Sequence, residues 1–141
     1  REAVSVIYQN YNLFPLLTVE ENIQYPLTLK KMPSKEALAL AHEMRERVEL
    51  PAAYDKRLPN HLSGGEQQRV AIARTLAQGS KILLADEPTG NLDSTNTRNI
   101  VEILRKLAHE EDSTVIVVTH DNSVAEQADV VLRMLDGKWA D

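Results

Sequence analysis

The sequence predicts an α/β fold, a parallel sheet with helices on both faces, joined to a helical block nearer the amino terminus. Three observations predict it. Short, near-continuous apolar runs at 81–85, 114–119 and 130–135 alternate with an amphipathic stretch at 94–110, the pattern of strands in a parallel sheet covered by helices. Residues 16–78 carry helical periodicity instead. Apolar runs also end in polar residues, Gln9-Asn10, Asp86-Glu87 and His120-Asp121, and the carboxyl ends of strands are where open α/β sheets collect ligands.

Taken in order, residues 3–8 are β-branched and apolar enough for a buried strand that stops at Gln9-Asn10. Residues 18–31 predict a helix capped by Thr18, with Glu21 completing a T-x-x-E box, and Pro26 should break or kink it. Ser34 can cap a second helix whose apolar positions Ala37, Ala41, Met44 and Val48 share one face. Residues 81–85 form a short strand ending in Asp86-Glu87. Residues 94–110 form an amphipathic helix on Ile100, Leu104 and Leu107, and 114–119 another buried strand. A last buried strand is expected at 130–135, closed by the turn signal Asp136-Gly137. These expectations divide the chain into 1–15 (first strand and loop), 16–78 (helical subdomain) and 79–141 (carboxyl-terminal part of the sheet core). No internal repeat interrupts them.

Composition bounds the functional classes. The chain has 141 residues, 43% of them apolar, which suits one domain with its own core. A net charge of -5 with dispersed Lys and Arg argues against a nucleic-acid partner. Without cysteine there is no disulfide framework and no thiolate metal site. Apolar strings such as 115–118 fall far short of the ~20 residues of a membrane-spanning helix, so any membrane role should be peripheral. The opening Arg1-Glu2-Ala3 carries neither initiator Met nor a signal-peptide apolar region, as expected for a segment of a longer cytoplasmic protein.

The chemistry concentrates between residues 62 and 93. Ser63 stands at an N-cap with Glu66 three positions later, an S-x-x-E box, and Gly64 and Gly65 between them leave backbone amides bare in the first turn. A lone capping box marks only a surface helix; two glycines suggest that something approaches the backbone closely, and phosphate is the natural candidate. Asp86-Glu87 can place Mg²⁺ and a water at a strand end, although two acids there are also a common solvated arrangement. His120 ends another strand at the same sheet edge, where a γ-phosphate contact competes with an ordinary surface histidine. His42, His61 and His109 are expected to be structural. Asn12, Asn22 and the run Arg45-Glu46-Arg47 are expected to be solvated.

Together these residues resemble an ATP-binding-cassette (ABC) ATPase domain, a P-loop NTPase (RecA-like) fold with an added helical subdomain. Leu62-Ser63-Gly64-Gly65-Glu66 through Leu76 is similar to the family signature, with Glu66 where Gln is more usual. ILLADEPT resembles the Walker B strand, Asn91-Leu92-Asp93-Ser94 the D-loop, Val117 to Asp121 the switch-histidine region, and Gln9 within YQNYNL the Q-loop. The GNLDS wording and the QNYNLFPLLTVEENI segment look most like the subgroup serving lipoprotein release, macrolide efflux and antimicrobial-peptide export. One element of the family pattern is missing. No G-x-x-x-x-G-K-[ST] loop occurs, and glycines only at 64, 65, 79, 90 and 137 cannot supply it.

The resemblance implies ATP and Mg²⁺ as cofactors, with Asp86 and Gln9 toward the metal and Glu87 and His120 catalytic. Ser63, Gly64, Gly65, Glu66, Gln9 and Asp93 would line the nucleotide. It further implies two such domains meeting head to tail, each ATP held between Glu87 of one copy and the Ser63-Gly64-Gly65 helix start of the other. The pair would drive transmembrane permease subunits from the cytoplasmic face of the membrane. A non-transport ABC ATPase and a non-catalytic interaction module, the latter because Walker A is absent, are the alternatives.

Overall fold

The computed structural model describes residues 4–140; Ala3, expected in the first strand, lies outside them. In chain order the elements are β1 (Val4–Ile7), α1 (Val19–Leu29), α2 (Ser34–Arg47), α3 (Gly64–Ala77), β2 (Ile82–Asp86), α4 (Ser94–Glu110), β3 (Thr114–Val118), α5 (Asn122–Ala125), β4 (Arg133–Leu135) and β5 (Lys138–Ala140). Two short 3-10 turns, Ala52–Tyr54 and Pro59–His61, join α2 to α3. No helix among the described residues is long and apolar enough to cross a membrane.

β1, β2 and β3 form a parallel sheet in that order, with Ile7 beside Ala85 and Ala85 beside Val117. Period-two alternation sends Ser5, Ile7, Leu83, Ala85, Val115 and Val117 to one face, where α3 and α4 pack. That face is buried on β1 and β2 and half-buried on β3. The opposite face, with Val4, Val6, Leu84, Ile116 and Val118, is half-buried to exposed, so helical cover is uneven between the two sides.

In the helical block α1, α2 and α3 pack on one another, and α3 joins them to the sheet. In α1 the side chains of Val19, Ile23 and Leu27 recur every four residues and are all buried against α2 and α3. The expected capping box forms, with Thr18 Oγ1 accepting from Glu21 N and Glu21 Oε1 from Thr18 N. Pro26 does not break α1, which runs on to Leu29. Its missing N–H falls in the last turn, and burial of its ring beside Ile23 and Leu27 outweighs the lost bond. α2 starts at Ser34, but its N-cap is Pro33 and no side chain caps it.

Two positions expected in solvent are buried. Asn22 is wholly enclosed; its Oδ1 accepts from Phe14 N and its Nδ2 donates to the carbonyls of Phe14, Leu17 and Thr18, pinning the preceding loop onto α1. Arg45 is buried and forks onto Asp55, with Nε to Oδ1 at 2.7 Å, and also donates to Leu50 O. His42 Nε2 lies 2.7 Å from Glu20 Oε2 and 3.5 Å from Asp55 Oδ2, and Lys56 bonds the other Glu20 oxygen. Burial acts to raise the Glu20 carboxyl, but the hydrogen bonds from His42 and Lys56 and the Lys56 charge outweigh it and hold the group below its usual value. Glu20, His42 and Asp55 bring three ligand atoms within 4.8 Å, yet Arg45 and Lys56 already answer the carboxylate charge. The cluster is an ion-pair network tying α1 and α2 to the segment before α3.

The carboxyl-terminal part departs furthest from expectation. Residues 114–119 are not a fully buried strand, because β3 is the edge of the sheet and only Val115 and Val117 reach the core. Nor do residues 130–135 form a buried strand of the parallel sheet. Only Arg133–Leu135 is extended, and it pairs antiparallel with β5 in a separate exposed hairpin. The predicted turn does form. Asp136 and Gly137 both have positive φ, 53° and 77°, as a two-residue type I′ connection requires.

Candidate functional site

Parallel register brings the chain out of all three strands at one edge, and the polar residues that follow each strand meet there. Asp86 is the exposed last residue of β2. Glu87 turns away with φ 49°, a left-handed conformation costly for a side-chain-bearing residue, held by its N–H bond to Val118 O at 2.8 Å. Its carboxylate accepts from His120 N at 3.2 Å, and the His120 Nε2 lies 3.5 Å away. Glu87 is therefore fixed by backbone at both ends, while the His120 ring is fully exposed.

Gln9, past the end of β1, donates from Nε2 to Asn91 Oδ1 at 3.1 Å, and Asn91 returns a longer bond to Gln9 O. The contact requires glycine next to Asn91: a Cβ on Gly90 would stand 2.6 Å from Gln9 Nε2. Asp93 accepts from Asn96 N at 2.8 Å and is the N-cap of α4.

The start of α3 forms the second cluster. Ser63 Oγ accepts from Glu66 N at 3.1 Å and Glu66 Oε1 from Ser63 N at 2.9 Å, which completes the predicted capping box. Tyr54 adds a third donor, its hydroxyl meeting Glu66 Oε2 at 2.9 Å, with Arg57 stacked 3.9 Å over the Tyr54 ring. Burial pushes the Glu66 carboxyl up, but the bonds from Ser63 N and the Tyr54 hydroxyl prevail and it stays below its ordinary value. Both Glu66 oxygens are thus engaged within the chain, whereas the Ser63 hydroxyl proton remains available. The two glycines have an internal reason as well. A Cβ on Gly64 would press on the Tyr11 hydroxyl at 3.0 Å, and one on Gly65 would collide with Asn96 Oδ1 at 2.2 Å.

No hydrogen bond or ion pair among the described residues joins Ser63 to Glu87 or His120. The two clusters are connected instead through residues that local pattern does not single out. Gln68, on the buried side of α3, donates to the carbonyls of Tyr8 and Pro88, and Arg74 donates to those of Tyr11 and Asn12. A polar side chain on the apolar face of α3 is the signal that points to Gln68. Asn12, expected to be solvated, has its carbonyl bound by Arg74 and borders a groove of ≈ 450 Å³ with Asn10, Leu13, Pro15, Pro59, Asn60 and Gln67.

The donor set at the sheet edge fits a hard divalent cation. Asp86 offers an exposed carboxylate and Gln9 an amide oxygen with no partner among the described residues, and oxygen ligands of this kind suit Mg²⁺ rather than a softer metal.

Comparison with known proteins shows what the chain is similar to. A protein-family model described as ABC transporter matches residues 1–90. An uncharacterized ABC transporter ATP-binding protein of Methanocaldococcus jannaschii, MJ0796, is 44% identical over 98% of this chain and 60% of its own length. The macrolide export ATP-binding/permease protein MacB of Aggregatibacter actinomycetemcomitans is 46% identical over 94% of this chain and 20% of its own. Among solved structures, the dimeric post-hydrolysis state of MJ0796 bound to ADP and Pi superposes with a TM-score of 0.84 at 41% identity, covering 99% of this chain and 62% of that one. The chain therefore spans less than two thirds of the length of these relatives.

Proposed function

Because this chain belongs to the ABC transporter family, we propose that it is the ATP-binding and ATP-hydrolysing part of a transporter, working as a head-to-tail pair that couples ATP-driven closure to a membrane permease. The observation that carries the reading is the convergence of Gln9, Asp86-Glu87 and His120 at one edge of three adjacent parallel strands. The dimeric MJ0796 structure with ADP and Pi supports the nucleotide and the pairing. The fused permease named for MacB supports the membrane partner.

In this reading each residue has a distinct task. Mg²⁺, when bound by Asp86 and Gln9, would neutralise charge on the phosphates. Glu87, fixed by the His120 amide, orients and polarises the attacking water, and the exposed His120 ring contacts the γ-phosphate. Ser63 donates its free hydroxyl proton, with the amides at Gly64 and Gly65, to the phosphate held by the opposite copy. Glu66 and Asp93 act by holding the helix starts beside the nucleotide. Residues 16–78 form the helical subdomain between the sheet segments 1–15 and 79–141. The groove beside Asn12 and Gln67 receives the permease, on the cytoplasmic face of the membrane.

The test is Glu87→Gln in a chain extended to the full length of its relatives. ATP binding should persist while turnover falls on the order of 10²- to 10⁴-fold, the usual cost of losing a general base. An ATP-bound dimer should then accumulate on size exclusion. Turnover within a few-fold of the parent would remove Glu87 from the mechanism. The 141 residues alone, lacking a phosphate-cradling Gly-Lys loop, should neither bind ATP tightly nor hydrolyse it.

A further inference from the structure

Gln68 lies on α3 one turn beyond Gly64 and Gly65 and is fully buried. Its Nε2 donates to Tyr8 O at 3.2 Å and to Pro88 O at 2.6 Å, while its Oε1 has no partner. An apolar side chain of the same length would fill this site without an unpaired buried oxygen, so what the amide contributes is the pair of donated bonds. The two carbonyls are significant by position. Tyr8 immediately precedes Gln9, and Pro88 immediately follows Glu87, so one NH₂ group spans the exits of β1 and β2 at the two residues assigned to the metal and the water. A second grip reinforces it: Arg74, six residues on, donates to the carbonyls of Tyr11 and Asn12, both held at positive φ.

We propose that Gln68 is a positioning residue that ties the Ser63-Gly64-Gly65 helix start to Gln9 and Glu87, so that contact of this helix with one nucleotide sets the geometry of hydrolysis at the other. The proposal rests on the head-to-tail reading above, in which the helix start serves the opposite copy's ATP and Glu87 serves its own. A shift of α3 on docking pulls on both carbonyls together, because one NH₂ group bonds them both and the Gln9–Asn91 bond joins the two loops.

The experiment uses the cassette extended to its relatives' length and compares the parent with Gln68→Met, which matches the length but donates nothing, and Gln68→His, which keeps one donor. For Gln68→Met we expect kcat to fall on the order of 10-fold with KM for ATP and monomer affinity within about 2-fold. Gln68→His should recover part of kcat. Activities are normalised to the folded fraction measured by thermal melting. Parental kcat per folded molecule in Gln68→Met would overturn the proposal, as would KM rising in step with the loss of kcat. If Gln68→Met does not fold, Gln68→His decides alone: reduced kcat at unchanged KM supports the tie, and parental kcat overturns it. A parent that neither dimerises with ATP nor hydrolyses it would instead overturn the functional reading itself, and this appears before any Gln68 variant is compared.

Discussion

The segment from β3 to β5 is at least as apolar in sequence as the helical block from α1 to α3, yet only the block encloses its apolar residues. In the block, Ile23, Leu27, Val48 and Ile72 are nearly or wholly inaccessible, and three of its charged side chains are buried as well, Arg45 paired with Asp55 and Glu20 bonded by His42 and Lys56. In the other segment Ile116, Val130, Leu132, Met134 and Leu135 are all exposed, and Asp129 meets His109 of α4 at the surface. The difference teaches that apolar content sets the capacity for a core, whereas surfaces facing one another decide whether it forms.

The largest contrast should come from the ion pairs. Asp55→Ala leaves the Arg45 guanidinium buried without its partner and should cost about 3 to 5 kcal/mol, whereas Asp129→Ala at the exposed pair should cost less than about 1 kcal/mol. Denaturant midpoints measure both, and equal losses would erase the distinction between the two regions. Core truncation comes next: Ile72→Val should cost roughly 0.5 to 1.5 kcal/mol, while the corresponding trim at exposed Val130 to Ala should stay within about 0.5 kcal/mol.

Of comparable size is the cap on α3. Ser63→Ala and Glu66→Ala should each cost roughly 0.5 to 2 kcal/mol. Glu66→Ala also leaves the Tyr54 hydroxyl without its acceptor, so its melting point should fall more than that of Ser63→Ala. In the extended cassette the order reverses for function, with only Ser63→Ala weakening ATP-driven dimerisation strongly.

The gentlest probe is acid. Glu20 and Glu66 sit below their ordinary values in the folded state, so the unfolded chain binds more protons as acidity rises. Their contribution is complete above the unfolded value of about 4.3 and is lost as pH falls through the depressed folded values. Both residues brace the helical block, so Glu20→Gln should flatten the acid limb of the stability curve. An unchanged acid limb would show that its ion pairs contribute nothing across that range.

Local rules made much of this legible. Both capping boxes, Thr18 with Glu21 and Ser63 with Glu66, involve partners three residues apart, and both form. β2 and α4 announce themselves by composition and period, and the strand-end residues of the candidate site follow once strand ends are placed. What escaped depends on distant partners. Arg45 looks solvated until Asp55 is brought beneath it, and Gln68 meets its acceptors only when Tyr8 and Pro88 arrive from 60 and 20 residues away. Pro26 was a local rule overruled by packing. Residues 130–135 have the composition of a core strand, but composition alone supplies no neighbour.

Trp139 is the only tryptophan of the chain, and it stands 69% exposed on the β4–β5 hairpin, outside the region that holds most of the buried apolar surface. Its emission therefore reports water already present before any melting begins. A fluorescence trace of these 141 residues would stay nearly flat while α1, α2 and α3 came apart, and the far-ultraviolet circular dichroism of the helices would register the transition that the indole does not see.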